Sequence, residues 1–363
     1  MTVRVLHVLR SAQHDWTGIA RVVTQALPQM ALRHYESDAV FLGPEGPLAP
    51  MLARAGTTVR FLPWNTGARD PLGALRFARF VRAGRYDIVH AHVGGRLLLR
   101  LCAFTARSGV VFHVHSRVRE VGERYVEGPI HTAGADAVIA VSRSVAGAIS
   151  DARATVIYSG VPVPPLPAAG VRAALPTVIG AAGRLTAGKA FTDLVRALPL
   201  IPDTVQLEIA GDGPQRESIA ALARELGVSN RVTLLGWVPD MRPLLARWTL
   251  FANPSLEEGF GLAVVEAMAA ALPVVATPVG GVPEVAIDGE NALLVRAGHP
   301  EELAAAINRV LADRPLAERL GARAREHVER HFSIQQQVDA TDRLYQSLLR
   351  DRGRRGRNAT ALA

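Results

Sequence analysis

The sequence predicts an α/β protein built from two domains of parallel sheet and helix, and three observations carry that expectation. The chain has 363 residues, more than one core usually organises, so two domains of roughly 170 residues each are expected. Short Val-, Ile- and Leu-rich runs alternate with amphipathic stretches of helical length, giving the strand, loop, helix, strand order of a parallel α/β unit. Between the halves, Pro162, Pro164, Pro165, Pro167 and Pro176 crowd a stretch with no apolar period, as in a linker.

An apolar share of 49% is ample for two cores, and Cys102, the one cysteine, excludes an internal disulfide. No signal-peptide pattern and no apolar run of about 18 residues stands out, so cytoplasmic residence is expected, with peripheral contact at the inner face of the membrane left open. Residues 1–170 hold 19 arginines against 11 acids, which is the whole formal charge of +8; the remainder is balanced at 22 of each sign. Such a one-sided excess suits an anionic partner, either a phosphorylated acceptor or an acidic membrane surface. Nucleic acid is not expected, because no zinc-finger spacing, recognition helix or RNA-binding aromatic motif is present. Of the 41 basic residues 40 are arginine, and Lys189 is the exception. That position marks a place where a compact, flexible ammonium is wanted rather than a planar guanidinium.

In chain order, residues 3–9 (VRVLHVL) read as a first buried strand, 10–18 as its loop and 19–31 as a helix. Gly18 therefore stands at a helix start beside a strand end, either a site of phosphate approach or a plain turn. Residues 37–42 and 57–62 are further strands. A helix within 70–85 carries Arg76, Arg79, Arg82 and Arg85, spread over about half its circumference. In the next helix Arg96, Arg100 and Arg107 fall within about 40° of one another, a narrow basic stripe suited to acidic lipid or simply to solvent. Strands at 86–91 and 110–115 end in His90-Ala91-His92 and His113-Val114-His115, so each pair of histidines shares a face. Four histidines invite a metal reading. No acidic partner, cysteine cluster or Asp-x-Asp accompanies them, and no metal is expected. Strands at 136–142 and 154–158 complete the first sheet.

The second domain opens with a strand at 177–182, then Gly183-Arg184-Leu185 and Gly188-Lys189, where two cations flank a turn and can hold a diphosphate from two sides. Strands at 206–210 and 232–236 follow, the first ending in Gly211-Asp212-Gly213-Pro214. A buried strand ending at Asn253-Pro254-Ser255 leads into a loop with Glu258, Gly259, Phe260 and Gly261, then a helix over 262–271 containing Glu266, then a strand over 273–277. The N–H groups at that helix start suit an anion, and both carboxylates can reach hydroxyl groups of one ligand; the plainer reading is a turn acid and a helix-capping acid. Helices over 300–311 and 317–330 and a last one from Ser333 through Leu349 close the chain.

The string EEGFGLAVVEAMAAALPVVATPVGGVPE, residues 257–284, resembles the signature of the retaining glycosyltransferases of family 4, and the likeness extends from about Val3 to about Tyr345. It implies a GT-B fold: two Rossmann-like domains facing a central cleft, with the C-terminal helix crossing back to the first. The domains are then 1–165 for the acceptor, 166–332 for a nucleotide sugar, 333–349 for the returning helix and 350–363 for an Arg-rich, disordered tail. By the resemblance, Glu258 contacts the transferred sugar and Glu266 the ribose, Arg184 and Lys189 hold the diphosphate, His115 faces the donor sugar, and Val238 lies in the segment flanking the base. Gly18, Gly183, Gly213, Gly259, Phe260, Gly261 and Leu262 complete the donor set; His92, Arg117 and Arg119 fall on the acceptor side. Two departures matter: only Gly18 remains of the usual glycines and glutamate near the first loop, and Ser159-Gly160-Val161 replaces Asn-Gly-Val. The implied activity is metal-independent transfer of a sugar, without a cofactor, from a nucleotide-diphosphate donor to a carbohydrate or lipid-linked acceptor. The alternatives are a nucleotide-sugar epimerase or hydrolase of the same fold, or a non-catalytic sugar-nucleotide-binding subunit.

Overall fold

The structure, a computed structural model, describes residues 2–10, 18–46, 48–64, 70–107, 109–116, 118–121, 124–127, 129–166 and 175–360. The chain forms two compact units: unit 1 comprises 1–117, 127–160 and 334–363, and unit 2 comprises 118–126 and 161–333. The break at Gly160 and Val161 precedes the expected boundary at 165, and 118–126, expected in the first domain, goes with the second.

The first half of the chain runs β1 (Val3–Leu9), α1 (Gly18–Ala31), β2 (Tyr35–Phe41), α2 (Leu48–Arg54), β3 (Thr58–Phe61), α3 (Pro71–Gly84), β4 (Ile88–Ala91), α4 (Arg96–Thr105) and β5 (Gly109–Val114). A hairpin of β6 (Val118–Val121) and β7 (Arg124–Glu127) interrupts it before β8 (Ala137–Ala140), α5 (Arg143–Gly147) and β9 (Ala154–Val156). Seven strands make a parallel sheet in the order β3-β2-β1-β4-β5-β8-β9. Its central strands β4, β5 and β8 are buried along their whole length, which is why they read as continuous apolar runs rather than as alternation.

Unit 1 is completed from the far end of the sequence. Helix α12 (Ile334–Thr360), numbered after the helices of unit 2 given below, sets Val338, Tyr345 and Leu348 into the core with Val5, Ile88, Val111 and Ile139. The Tyr35 hydroxyl donates to Asp342 Oδ1 at 2.5 Å, and Arg33 pairs with Asp339 and Asp342. The helix continues past Leu349 to Thr360, so residues 350–360 are helical where a disordered tail was expected; 361–363 lie outside the described residues.

Unit 2 runs β10 (Val178–Ala182), α6 (Phe191–Ala197), β11 (Gln206–Ala210), α7 (Arg216–Glu225), β12 (Val232–Gly236), α8 (Arg242–Arg247), β13 (Leu250–Asn253), α9 (Leu262–Ala269), β14 (Val274–Ala276), β15 (Leu293–Leu294), α10 (Pro300–Ala312) and α11 (Arg314–His331). Its six parallel strands lie in the order β12-β11-β10-β13-β14-β15. This is the doubly wound Rossmann order, in which the strand sequence reverses direction between the first and fourth strands, here β10 and β13. Trp248, fully buried, closes the base of β13, and its indole N–H donates to Glu208 Oε2 at 2.8 Å, so burial strands no polar atom there.

Candidate functional site

In open parallel sheets, ligands bind beyond the carboxyl ends of the strands where the order reverses. In unit 2 that point lies between the loop after β10 and the loop after β13. Backbone bonds fasten the two loops together: the Leu256 and Glu257 N–H groups donate to the Gly188 carbonyl at 2.8 and 3.2 Å. Lys189 Nζ reaches Glu258 Oε1 at 2.6 Å. Their side chains are 25% and 11% exposed, so the pair is sheltered yet open to a ligand.

Beneath Glu258 lies a polar bed. The Ser255 hydroxyl sits 3.0 Å from Glu258 Oε1 and 2.7 Å from Asn253 Oδ1, and Thr277 Oγ1 donates to the Ser255 carbonyl. Ser255, Asn253 and Thr277 are all buried. Side chains held this way have few rotamers left, so the Glu258 carboxylate is oriented before any ligand arrives. In the sequence Asn253-Pro254-Ser255 signalled only a turn; the bed becomes visible once β13 and β14 pair, with Asn253 opposite Ala276.

Two glycines let the loops approach this closely. A Cβ on Gly211 would stand 1.8 Å from the Gly183 carbonyl oxygen, and one on Gly280 would stand 1.7 Å from that of Glu258. We expect Gly280→Ala to cost about 1–3 kcal/mol through crowding against backbone that cannot rotate away. Gly289→Ala is the control: its φ of +71° resembles the +55° of Gly280, but its added Cβ meets nothing within 4 Å. Thermal denaturation should show the larger loss at Gly280; equal losses would contradict close packing of this loop.

The other residues expected at the donor take the following places. Helix α9 begins at Gly261 with no side-chain cap, leaving its first-turn N–H groups facing the loop that carries Glu258, and Glu266 lies partly buried in its second turn. Leu262 is its first residue and Gly259 lies in the loop. The Phe260 ring is buried, 5.6 Å from the ring of Phe332, so its side chain packs in the core while its backbone lies in the loop. Gly183, Arg184 and Gly213 sit partly buried in the loops after β10 and β11, and Val238 follows β12.

In unit 1, Gly18 is the first residue of α1, while the loop before it, 11–17, lies outside the described residues. Arg117 also lies outside them, and Arg119 is placed only as backbone in β6. His92 and His115 belong to a larger group than the sequence suggested. The β1 and β4 register sets His7 opposite His90, and five imidazoles, His7, His90, His92, His113 and His115, stack at the carboxyl edge of the first sheet. His7 Nδ1 lies 3.1 Å from His92 Nε2, and His92 Nδ1 lies 3.0 Å from His115 Nε2. A second chain joins the Tyr345 hydroxyl to His90 Nδ1 at 2.5 Å and His90 Nε2 to His113 Nδ1 at 3.2 Å. Burial lowers every one of these histidines, His7 to about 4 and His115 to about 3, and neighbouring imidazoles push His90, His92 and His113 further the same way. All five are neutral near pH 7.

Comparison with known proteins accords with this arrangement. Residues 16–163 match the model described as Glycosyltransferase Family 4, and 176–313 match that described as Glycosyl transferases group 1. The chain is 38% identical over 163 residues to the lipopolysaccharide core biosynthesis glycosyltransferase LpsE of Rhizobium meliloti, covering 45% of this chain and 48% of that protein. To the lipopolysaccharide core biosynthesis mannosyltransferase LpcC of Rhizobium leguminosarum bv. viciae it is 35% identical over 232 residues, covering 60% and 66%. The chain thus spans about half to two thirds of the length of these two relatives. Among solved structures, Anabaena HepE in complex with UDP and glucose superposes with a TM-score of 0.81 at 22% identity, covering 95% of this chain and all of that one. Sucrose-phosphate synthase from Thermosynechococcus elongatus gives 0.75 at 21%, covering 96% and 100%. With both halves matched by family models and the two Rossmann-like sheets in place, the chain belongs to glycosyltransferase family 4 and has the GT-B fold.

Proposed function

We propose that the chain is a retaining, metal-independent glycosyltransferase that moves a sugar from a nucleotide-diphosphate donor to an acceptor hydroxyl in the synthesis of a lipid-linked or cell-surface glycan. The observation that carries this reading is the Lys189–Glu258 pair, 2.6 Å apart at the β10–β13 reversal beside the uncapped start of α9. Lys189 and Arg184 then take the diphosphate, Glu258 a sugar hydroxyl and Glu266 the ribose. The names of LpsE and LpcC support a glycan acceptor, and the UDP of the HepE structure supports a nucleotide donor.

The bond between the anomeric carbon and the diphosphate oxygen breaks with its electron pair on the diphosphate. The acceptor oxygen bonds to that carbon on the same face, and the acceptor proton passes to the departing phosphate. Negative charge grows on the leaving group, so fixed cations and helix N–H groups stabilise the transition state more than the bound donor, which raises rate. His115 and His92 take the sugar and acceptor sides on the strength of the family resemblance. Incubating the chain with a panel of nucleotide sugars, with and without cell lipids, tests the proposal. Nucleotide release that depends on lipid supports transfer; epimerisation without acceptor would replace it with an epimerase.

The acceptor side of this reading includes an acidic membrane surface. No helix of the described residues is long and apolar enough to cross a membrane. On α3, however, Leu72 and Leu75 are 70% and 56% exposed beside exposed Arg76, Arg79 and Arg82. On α4, which packs against it, Phe104 is 79% exposed, and Arg96 and Arg100 of α4 and Arg107 just after it are exposed as well. Exposed apolar side chains on helices that also carry exposed arginines suit peripheral binding to anionic lipid. Flotation should recover at least about tenfold more protein with anionic than with neutral vesicles, since each basic residue near such a surface contributes about 1 kcal/mol. Equal recovery in both would remove this part of the reading.

A further inference from the structure

We infer that Tyr345 and His7 are positioning residues that fix His115 in one tautomer, with Nε2 protonated and Nδ1 left as a hydrogen-bond acceptor for a ligand hydroxyl. Each of the five neutral imidazoles carries one N–H and one bare nitrogen, so a hydrogen-bonded chain of them runs in one of two directions. In the inner chain, one step back from the carboxyl edge, Tyr345 settles the direction. Its buried phenol has His90 Nδ1, at 2.5 Å, as its one hydrogen-bond partner among the described residues. Burial keeps the phenol protonated, so its O–H donates to His90 Nδ1. His90 Nε2–H then donates to His113 Nδ1 at 3.2 Å, and His113 Nε2, which is buried without a partner, carries the last proton. The opposite direction would leave that nitrogen equally alone and strand the phenol proton as well.

The outer chain, His7, His92 and His115, lies against the inner one. The His90 and His92 rings stack with centroids 4.4 Å apart and planes 11° apart, and those of His113 and His115 with centroids 4.1 Å apart and planes 25° apart. Both layers cross from β4 to β5, so their hydrogen bonds run side by side. Dipoles placed side by side attract when antiparallel and repel when parallel, and burial leaves little solvent to screen them. With His90 donating toward β5, the outer layer donates back toward β4 and β1. His115 Nε2–H bonds to His92 Nδ1 at 3.0 Å, and His92 Nε2–H to His7 Nδ1 at 3.1 Å. His115 Nε2 is then occupied, and Nδ1 remains on a ring that is only partly buried. An acceptor at that place takes a hydroxyl proton and leaves the lone pairs of the hydroxyl oxygen to other donors. That the hydroxyl belongs to the sugar rests on the proposed transfer reaction; the tautomers do not.

Long-range proton–nitrogen NMR spectra of the isotope-labelled full chain, taken without ligand, read the tautomer of each ring. Signals of His92 and His115 are assigned by their loss in His92→Gln and His115→Gln. Both rings are expected as Nε2–H in the parent. In His7→Leu the His92 Nε2–H has no acceptor, so the pair reverses and both rings become Nδ1–H. Asparagine has nearly the shape of leucine and sets an amide oxygen where His7 Nδ1 stood, so His7→Asn keeps the parent tautomers. With a donor and acceptor that support transfer, His7→Leu should lower kcat/KM at least about fivefold, the lesser cost of a buried group left without its partner, and His7→Asn should restore it. Circular dichroism confirms the fold of each variant. Nδ1–H at His92 and His115 in the parent, or tautomers unchanged in His7→Leu, would overturn the inference, and so would kcat/KM in His7→Leu equal to the parent. Tautomers as stated with no transfer in any of the chains would count against the proposed reaction and uphold the tautomer assignment.

Discussion

Replacing Lys189 or Glu258 with alanine is expected to lower turnover by at least about 10²-fold, the usual cost of removing one fixed group that stabilises developing charge. Each single variant also leaves its partner's charge uncompensated in a sheltered position, since Lys189 Nζ and Glu258 Oε1 are 2.6 Å apart. Some loss of stability accompanies each, and a drop in rate alone is ambiguous. The double variant Lys189→Ala with Glu258→Ala resolves this. Removing both charges relieves the unpaired ion, so melting temperature recovers part of the loss. Activity does not recover, because neither the diphosphate nor the sugar regains its contact. Steady-state rates and melting curves on the three variants check both halves of this expectation. Turnover near the parent value in the singles would remove the pair from the donor site, and turnover restored in the double would make the pair purely structural.

The second large effect is acid sensitivity concentrated in unit 1, where five histidines are lowered by burial against His327 in unit 2. His7, His90, His92, His113 and His115 are all lowered from 6.5 by burial. Below about pH 6.5 the unfolded chain takes up protons that the folded chain refuses. Stability contributed by the neutral rings is therefore complete above that pH and is lost as pH falls, through about 4 for His7 and about 3 for His115. Each histidine contributes up to about 1.4 kcal/mol of loss per pH unit inside its window. Five such groups can remove much of a typical domain stability of about 5–15 kcal/mol by pH 5. Hydrogen exchange, corrected for the intrinsic pH dependence of amide exchange, should show β1, β4 and β5 losing protection between pH 7 and 5 while β10 and β13 keep theirs. Parallel loss in both sheets, or none in the first, would contradict this account.

The loops that carry the proposed donor residues were legible because their signals are local. A lone lysine in an arginine-rich chain, glycines after successive strands and two glutamates around a helix start can all be read within a few residues of one another. The contact between Lys189 and Glu258 could not be read that way, since it depends on β10 and β13 being neighbours, a consequence of sheet order. His7 was missed for the same reason: a single histidine inside VRVLHVL looks like any strand residue until the register with β4 sets it against His90. The bed of Asn253, Ser255 and Thr277 likewise needs the pairing of β13 with β14. At the C-terminus the error ran the other way. An arginine- and glycine-rich composition suggested disorder from 350, yet arginine is a good helix former, and α12 continues to Thr360 from a segment anchored in the core by Tyr345 and Leu348. That the Phe260 ring packs beside Phe332 could not be read from the signature, because it depends on α11 ending against the loop.

The central claim is that a nucleotide-diphosphate sugar is held by the loops after β10 and β13. Hydrogen-exchange mass spectrometry with a panel of UDP-, GDP- and ADP-sugars tests it most directly. At least one donor should slow exchange in 183–190 and 255–265, and that protection should vanish in the Lys189→Ala, Glu258→Ala double variant. Protection by every bound donor at other segments, or by none of the panel at these two, would contradict the claim.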